Sequence, residues 1–273
     1  MALKDITLGQ YFPGNTLLHR LDPRTKLLFT VAYIVALFLA KHVVGYAVLF
    51  VPLAVLIAVS KVGIKSILRG MKPILIIVII TGLLNLFYTR GEGAPLVSFW
   101  IFTIYPEGIW AAVFMVLRIA MLITCTFLLT YTTSPIVLTD GLERPMSPLK
   151  KIKVPVHEIA MMMTIALRFI PTLIEETDKI MNAQKARGAD METGSLTQRA
   201  KALIPILIPL FVSAFRRADE LALAMECRCY RGSVGRTRMK QLEYESRDFV
   251  ALGFMLLCLA AVIVINIYFP PMI

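Results

Sequence analysis

Two stretches of the chain carry residues whose type and spacing suit the capture of acidic groups on another protein. The first reads Gln184-Lys185-Ala186-Arg187-Gly188-Ala189-Asp190, and the second Met225-Glu226-Cys227-Arg228-Cys229-Tyr230-Arg231-Gly232. A guanidinium is planar, permanently charged and presents its N–H donors in a rigid fork, so it can hold a carboxylate through two parallel hydrogen bonds. An Arg in the last turn of a helix also answers the helix dipole and the free carbonyls there, and a following Gly supplies a left-handed cap. Either stretch alone is explained by that ordinary helix stop. Their repetition at the ends of two successive amphipathic segments points to docking as well.

Other chemistry is thinly represented. No Gly-x-x-x-x-Gly-Lys-Ser/Thr stretch occurs, so energy from ATP would have to come through a partner. His19, His42 and His157 are scattered, and no Ser/His/Asp or paired-carboxylate pattern stands out. Asp140, Glu143, Glu175 and Glu176 form no set of the kind a lipid-head-group transferase would need for metal and phosphate. Cys227 and Cys229 lack further Cys or His nearby, whereas zinc wants four ligands at recognisable spacing, so no metal site is expected. The four cysteines make no disulfide framework: Cys125 and Cys258 lie in apolar runs and the other two in a charged segment. Arg118 is the clear ionisable residue inside an apolar run, where it needs a helix-end acid or a carbonyl as partner.

The elements that must position these residues follow from hydropathy. Of 273 residues, 58% are hydrophobic and 17% charged, with a mean hydropathy of +0.73. Soluble domains are nearer half apolar and a quarter charged, so a bilayer is indicated. The net charge of +11 reflects loops held on the cytoplasmic side rather than nucleic-acid binding, because no basic run interleaves with exposed aromatics. The first 26 residues are mixed and polar, without a signal-peptide pattern, so the first apolar run is expected to stay in the mature protein. Five runs are expected to span: Leu27–Ala40, Val43–Val59, Pro73–Tyr88, Ile109–Tyr131 and Phe249–Phe269. The first is short unless Lys26 and Lys41 snorkel. Lys and Arg gather in residues 1–26 (Lys4, Arg20, Arg24, Lys26), in the 60–72 linker (Lys61, Lys65, Arg69, Lys72) and in residues 132–248. That alternation places the N-terminus inside and the C-terminus outside. In the 89–108 loop Gly91, Gly93 and Pro95 precede Phe99, Trp100, Phe102 and Tyr105, and these aromatics, with Trp110 just beyond, read as an interfacial belt.

The expected fold is therefore all-α and polytopic. Residues 1–131 hold four spans, 132–248 a cytoplasmic segment with two long bent helices, and 249–273 the last span. The first long helix begins after Pro155 and runs toward Gly188, with apolar positions recurring at three and four and Pro171 bending it. Glu175 and Lys179 are spaced for an i,i+4 pair. The second opens at Ser195 with Gln198 completing a capping box, and Pro205 and Pro209 bend it. Leu203–Phe215 is too short for a span and reads as an interfacial or buried helix. Both long helices have faces too apolar for water, so they pack on each other, offer a groove to a partner, or both.

The chain resembles the transmembrane T component of energy-coupling factor transporters, a family that includes cobalt-transport membrane subunits. The residues that carry the resemblance are His19-Arg20-Leu21-Asp22-Pro23-Arg24-Thr25-Lys26, Ala166-Leu167-Arg168-Phe169-Ile170-Pro171, Ala186-Arg187-Gly188 and Ala224-Met225-Glu226-Cys227-Arg228-Cys229-Tyr230-Arg231-Gly232. It implies a multi-pass prokaryotic cell-membrane subunit that links two ABC-type ATPases to a substrate-binding S component, for uptake of vitamins or other micronutrients. ATP and Mg would be bound by those partners, and no cofactor by this chain. Ala186, Arg187, Gly188, Cys227, Arg228, Cys229 and Arg231 would couple to the ATPases, each motif Arg entering a groove on one of them. The second motif departs from Ala-Arg-Gly: Cys is compact, but losing Gly removes the easy left-handed cap, so the helix is expected to continue toward Gly232. Met162, Met163 and Phe169 are the candidate contacts with the S component, where a Met-rich face would adapt to several partners. The competing reading is a stand-alone gradient-driven permease, though polar groups at midplane are scarce for that role.

Overall fold

The computed structural model describes residues 11–88, 97–99, 102–189, 195–232 and 242–268. Lys4, Gly91, Gly93, Pro95, Trp100 and Asp190 lie outside them. The described elements run α1 (Leu17–Arg20), α2 (Pro23–Leu39), α3 (Val43–Ser60), α4 (Ile64–Tyr88), β1 (Val97–Phe99), β2 (Phe102–Ile104), α5 (Pro106–Thr132), α6 (Pro135–Glu143), a 3₁₀ turn (Ser147–Ile152), α7 (Val156–Ala186), α8 (Leu196–Cys227) and α9 (Ser246–Tyr268). The chain divides into one unit of residues 9–141 with 242–273, and a second of residues 1–8 with 142–241.

In the first unit α4 packs along α5, while α2 and α3 pack against both α5 and α9. Tyr33, Leu37, Leu49, Leu128, Tyr131, Met255 and Val262 are fully enclosed at the centre. Gly70 allows the close α4–α5 approach, since a Cβ there would lie 2.8 Å from both Phe127 and the Tyr131 hydroxyl. The expected 89–108 belt contains a short antiparallel hairpin in an otherwise helical fold, with Val97 opposite Ile104 and Phe99 opposite Phe102. Trp110 stacks on Phe114 at 5.6 Å between ring centroids.

The five expected spans correspond to α2, α3, α4, α5 and α9. By length and composition six described helices could cross a membrane: α3, α4, α5, α7, α8 and α9. This differs from expectation at two places. Helix α2 has 17 residues and begins with the polar turn Pro23–Lys26, so its apolar part is short. Helices α7 and α8 qualify through one apolar face, are the least apolar of the six, and carry Arg168, Glu175, Glu176, Arg216, Arg217, Asp219 and Glu220 along their lengths.

Helix α2 starts with Asp22 as N-cap, its side chain accepting from the Arg24 N–H, and with Pro23 in the first turn, where its missing donor costs nothing. Lys26 does not snorkel. It is buried, and its ammonium donates to the Thr132 carbonyl at 3.0 Å and the Thr133 hydroxyl at 3.2 Å, closing the C-terminus of α5. Asp248, in the first turn of α9 and 2% exposed, accepts from the backbone N–H of Asp22 at 2.9 Å and of Glu245 at 2.8 Å. The polar motif before the first span is therefore a knot joining the starts of α2 and α9 to the end of α5.

Candidate docking ends of the long helices

In the second unit α7 and α8 pack against each other. Helix α8 opens with the expected capping box: the Ser195 N–H donates to Gln198 Oε1 at 2.9 Å, and the Gln198 N–H to Ser195 Oγ at 3.4 Å. Both helices run unbroken through their prolines. Three approaches fix their mutual direction. Gln184 donates to the Pro205 carbonyl at 3.4 Å; Arg217 pairs with Glu176 at 3.1 Å; and Glu158 Oε1 lies 4.0 Å from where a Cβ on Gly232 would be. Rising numbers on one helix meet falling numbers on the other, so the pair is antiparallel. The expected Glu175–Lys179 pair does not form; Glu176, one residue along, reaches across to α8 instead.

Arg187 and Arg228 therefore stand at opposite ends of this pair. A helix of 31 residues is roughly 45 Å long at 1.5 Å per residue, too far for both arginines to serve one pocket. Each ends its helix in the same way. Arg187 is the C-cap of α7 at φ −84°, ψ 3°, and Arg228 the C-cap of α8 at φ −90°, ψ 12°. The Gly188 N–H donates to the Lys185 carbonyl and the Ala189 N–H to the Gln184 carbonyl, both at 3.0 Å. At the other end the Cys229 N–H donates to Glu226 at 2.8 Å and the Tyr230 N–H to Met225 at 3.0 Å. These are paired Schellman closures, which satisfy the orphan carbonyls of a helix end. Gly188 takes the left-handed position at φ +87°, and Cys229 takes it at φ +56°. The expectation that α8 continues toward Gly232 is thus overturned. Helix α8 stops at Cys227, because the two closing hydrogen bonds outweigh the modest cost of a non-Gly residue there. Arg231 lies beyond the cap rather than on the helix.

Ala186, Arg187, Gly188, Cys227, Arg228, Cys229 and Arg231 are all exposed. Among the described residues, neither the Arg187 nor the Arg228 guanidinium has an ion-pair or hydrogen-bond partner, so both forks are available to an external carboxylate. Met162 and Met163 are 56% and 39% exposed on α7, whereas Phe169 is half-buried. No cluster of three potential metal ligands occurs among the described residues.

Two features escaped the sequence reading. Within Leu203–Phe215, the middle of α8, Leu203, Leu207, Phe211 and Phe215 with Ile204, Ile208 and Val212 form an exposed apolar stripe rather than a buried one. Their spacing of four was the signal. Asp248 was the other, an acid in the first turn of the last span whose partner lies 226 residues away in sequence.

Residues 14–240 match the family model described as CbiQ, cobalt transport protein. The chain is 56% identical over 260 residues to an energy-coupling factor transporter transmembrane protein EcfT of Clostridium kluyveri, covering 94% of this chain and 96% of that one. The protein of the same name from Ruminiclostridium cellulolyticum is 52% identical over 267 residues, covering 98% and 99%. That of Bacillus subtilis is 47% identical over 246 residues, covering 90% and 92%. With its motif arginines at matched helix ends and most of its length aligned, the chain belongs to the CbiQ cobalt transport protein family.

Proposed function

We propose that this multi-pass membrane protein is the coupling subunit of an energy-coupling factor transporter, joining two cytoplasmic ABC-type ATPases to a substrate-binding S component that takes up a vitamin or another micronutrient. The observation that carries this reading is the duplicated helix end: two exposed arginines, without a side-chain partner among the described residues, in the same closure at opposite ends of one antiparallel pair. One arginine would dock on each ATPase. ATP and Mg would be bound by those partners. The N-terminus and the α7–α8 unit would lie in the cytoplasm, as the Lys and Arg distribution indicates. Met162, Met163 and the apolar stripe of α8 would face the S component or lipid; either answers the cost of exposed apolar area.

Removing one member of a buried charge pair costs about 3–5 kcal/mol. Arg187→Ala and Arg228→Ala, purified with their ATPases, should each lose ATPase retention while still inserting in the membrane. Wild-type retention in both variants would refute the docking role. Substrate uptake by the purified chain alone in liposomes would favour a gradient-driven permease instead.

A further inference from the structure

The turn ahead of α7 has a composition that the docking role does not use. Residues 147–153 are all exposed, and among them Ile152 is 74% and Leu149 37% exposed. In a 3₁₀ helix side chains at i and i+3 eclipse one another. Leu149 and Ile152, within the 3₁₀ turn Ser147–Ile152, therefore form one apolar ridge. Lys150 and Lys151 occupy the flanking edges, and Lys153 closes the turn in the left-handed region at φ +63°. No acidic residue occurs between Arg144 and His157. The turn is closed by the Val154 N–H donating to the Leu149 carbonyl at 3.3 Å, and it leads within two residues into α7, whose first residue, Val156, is 1% exposed.

We propose that Leu149 and Ile152 form a wedge seated in the headgroup layer of an anionic leaflet, with Lys150, Lys151 and Lys153 on lipid phosphates. An apolar ridge rimmed by lysines is the pattern of interfacial insertion, and lysines near an anionic surface are attracted to it. Lipid suits these residues better than a protein acid does. A lysine is a point charge on a flexible stem, matched to a fluid layer of phosphates, whereas Arg187 and Arg228 have the fixed fork suited to a carboxylate. The wedge would hold the start of α7, and with it the Glu158–Gly232 end of the helix pair, at the membrane surface. The inference stands whether or not the two arginines dock ATPases.

The test places the photo-reactive residue benzoylphenylalanine at position 152 of the full chain. The protein is reconstituted with its partner ATPases in nanodiscs of equal phosphatidylglycerol and phosphatidylcholine, and adducts are identified by mass. Phospholipid adducts are expected, with phosphatidylglycerol enriched at least about threefold over phosphatidylcholine. The combined Lys150→Glu, Lys151→Glu and Lys153→Glu variant should abolish that enrichment. Adducts to an ATPase, adducts to neither lipid, or both lipids captured equally would each overturn the proposal.

Discussion

The side-chain amide of Gln184 on α7 donates to the backbone carbonyl of Pro205 on α8. In an unbroken helix that carbonyl would accept from residue 209, but residue 209 is Pro and has no N–H. The vacancy created by one proline is thus filled from the neighbouring helix. The carbonyl of the same Gln184 accepts the Ala189 N–H in the closure that presents Arg187. One residue therefore ties the Arg187 end of α7 to the proline segment of α8.

Gln184→Leu should weaken this tie by about 0.5–1.5 kcal/mol, the net worth of one hydrogen bond. Pro209→Ala restores a donor for Pro205, so Gln184→Leu should cost less in that background. A double-mutant cycle on thermal unfolding in detergent measures the difference. Equal costs in both backgrounds would show that Gln184 does not complete the proline gap.

The second prediction concerns the matched helix ends. A non-Gly residue in the left-handed region costs about 1–2 kcal/mol. Cys229→Gly should therefore stabilise the protein, raising Tm by about 2–4 °C for a chain of this size. Gly188→Ala should lower it by a similar amount through backbone strain alone, since nothing lies within 4 Å of the added Cβ. Opposite signs are the diagnostic result, and shifts of the same sign would contradict the shared closure.

Local signals in the sequence located both long helices. Pro155 ahead of α7, and the Ser195–Gln198 box ahead of α8, act within one turn and survive into the structure. The features that were misjudged depend on distant partners. Lys26 looked like a snorkelling lysine because its acceptors, Thr132 and Thr133, lie more than a hundred residues away. Pro205 and Pro209 predict a bend in α8, but the donor that answers the Pro205 carbonyl, Gln184, cannot be read from the sequence around them. The end of α8 was misplaced for a local reason: a rule that the left-handed cap wants Gly omits the hydrogen bonds that Cys229 and Tyr230 gain by closing there.

The third prediction tests the knot at the start of the spans. Asp248 accepts two backbone N–H groups in a buried site, and hydrogen bonds to a charged group are worth about 1.5–3 kcal/mol each. Asp248→Ala should cost several kcal/mol, seen as a sharp fall in monodisperse protein on size exclusion. Asp248→Asn keeps one acceptor oxygen but must turn its amide toward a second N–H donor, so it should recover only part of the loss. Wild-type yield from Asp248→Ala would show that the knot is dispensable.

Arg118 provides the fourth. Its Nε donates to the Tyr46 hydroxyl at 2.9 Å and its Nη2 to the Ala40 carbonyl at 3.4 Å. Ala40 is the C-cap of α2, so the cation sits at the negative end of that helix dipole. It also lies 5.7 Å from the Phe38 ring centroid and 5.8 Å from that of Tyr46, which favours a cation over the ring faces. Arg118 thus completes a short span with a carbonyl and a hydroxyl, without a counter-acid among the described residues. Arg118→Leu would leave both groups without their donor and should lower Tm by several degrees. Arg118→Lys, which keeps the charge and can reach one acceptor at a time, should fall between. Because Arg118 makes its contacts within the first unit and the proposed docking arginines belong to the second, both variants should retain ATPase subunits at wild-type stoichiometry once folded. Loss of those subunits from folded Arg118→Lys would instead give this arginine a part in coupling.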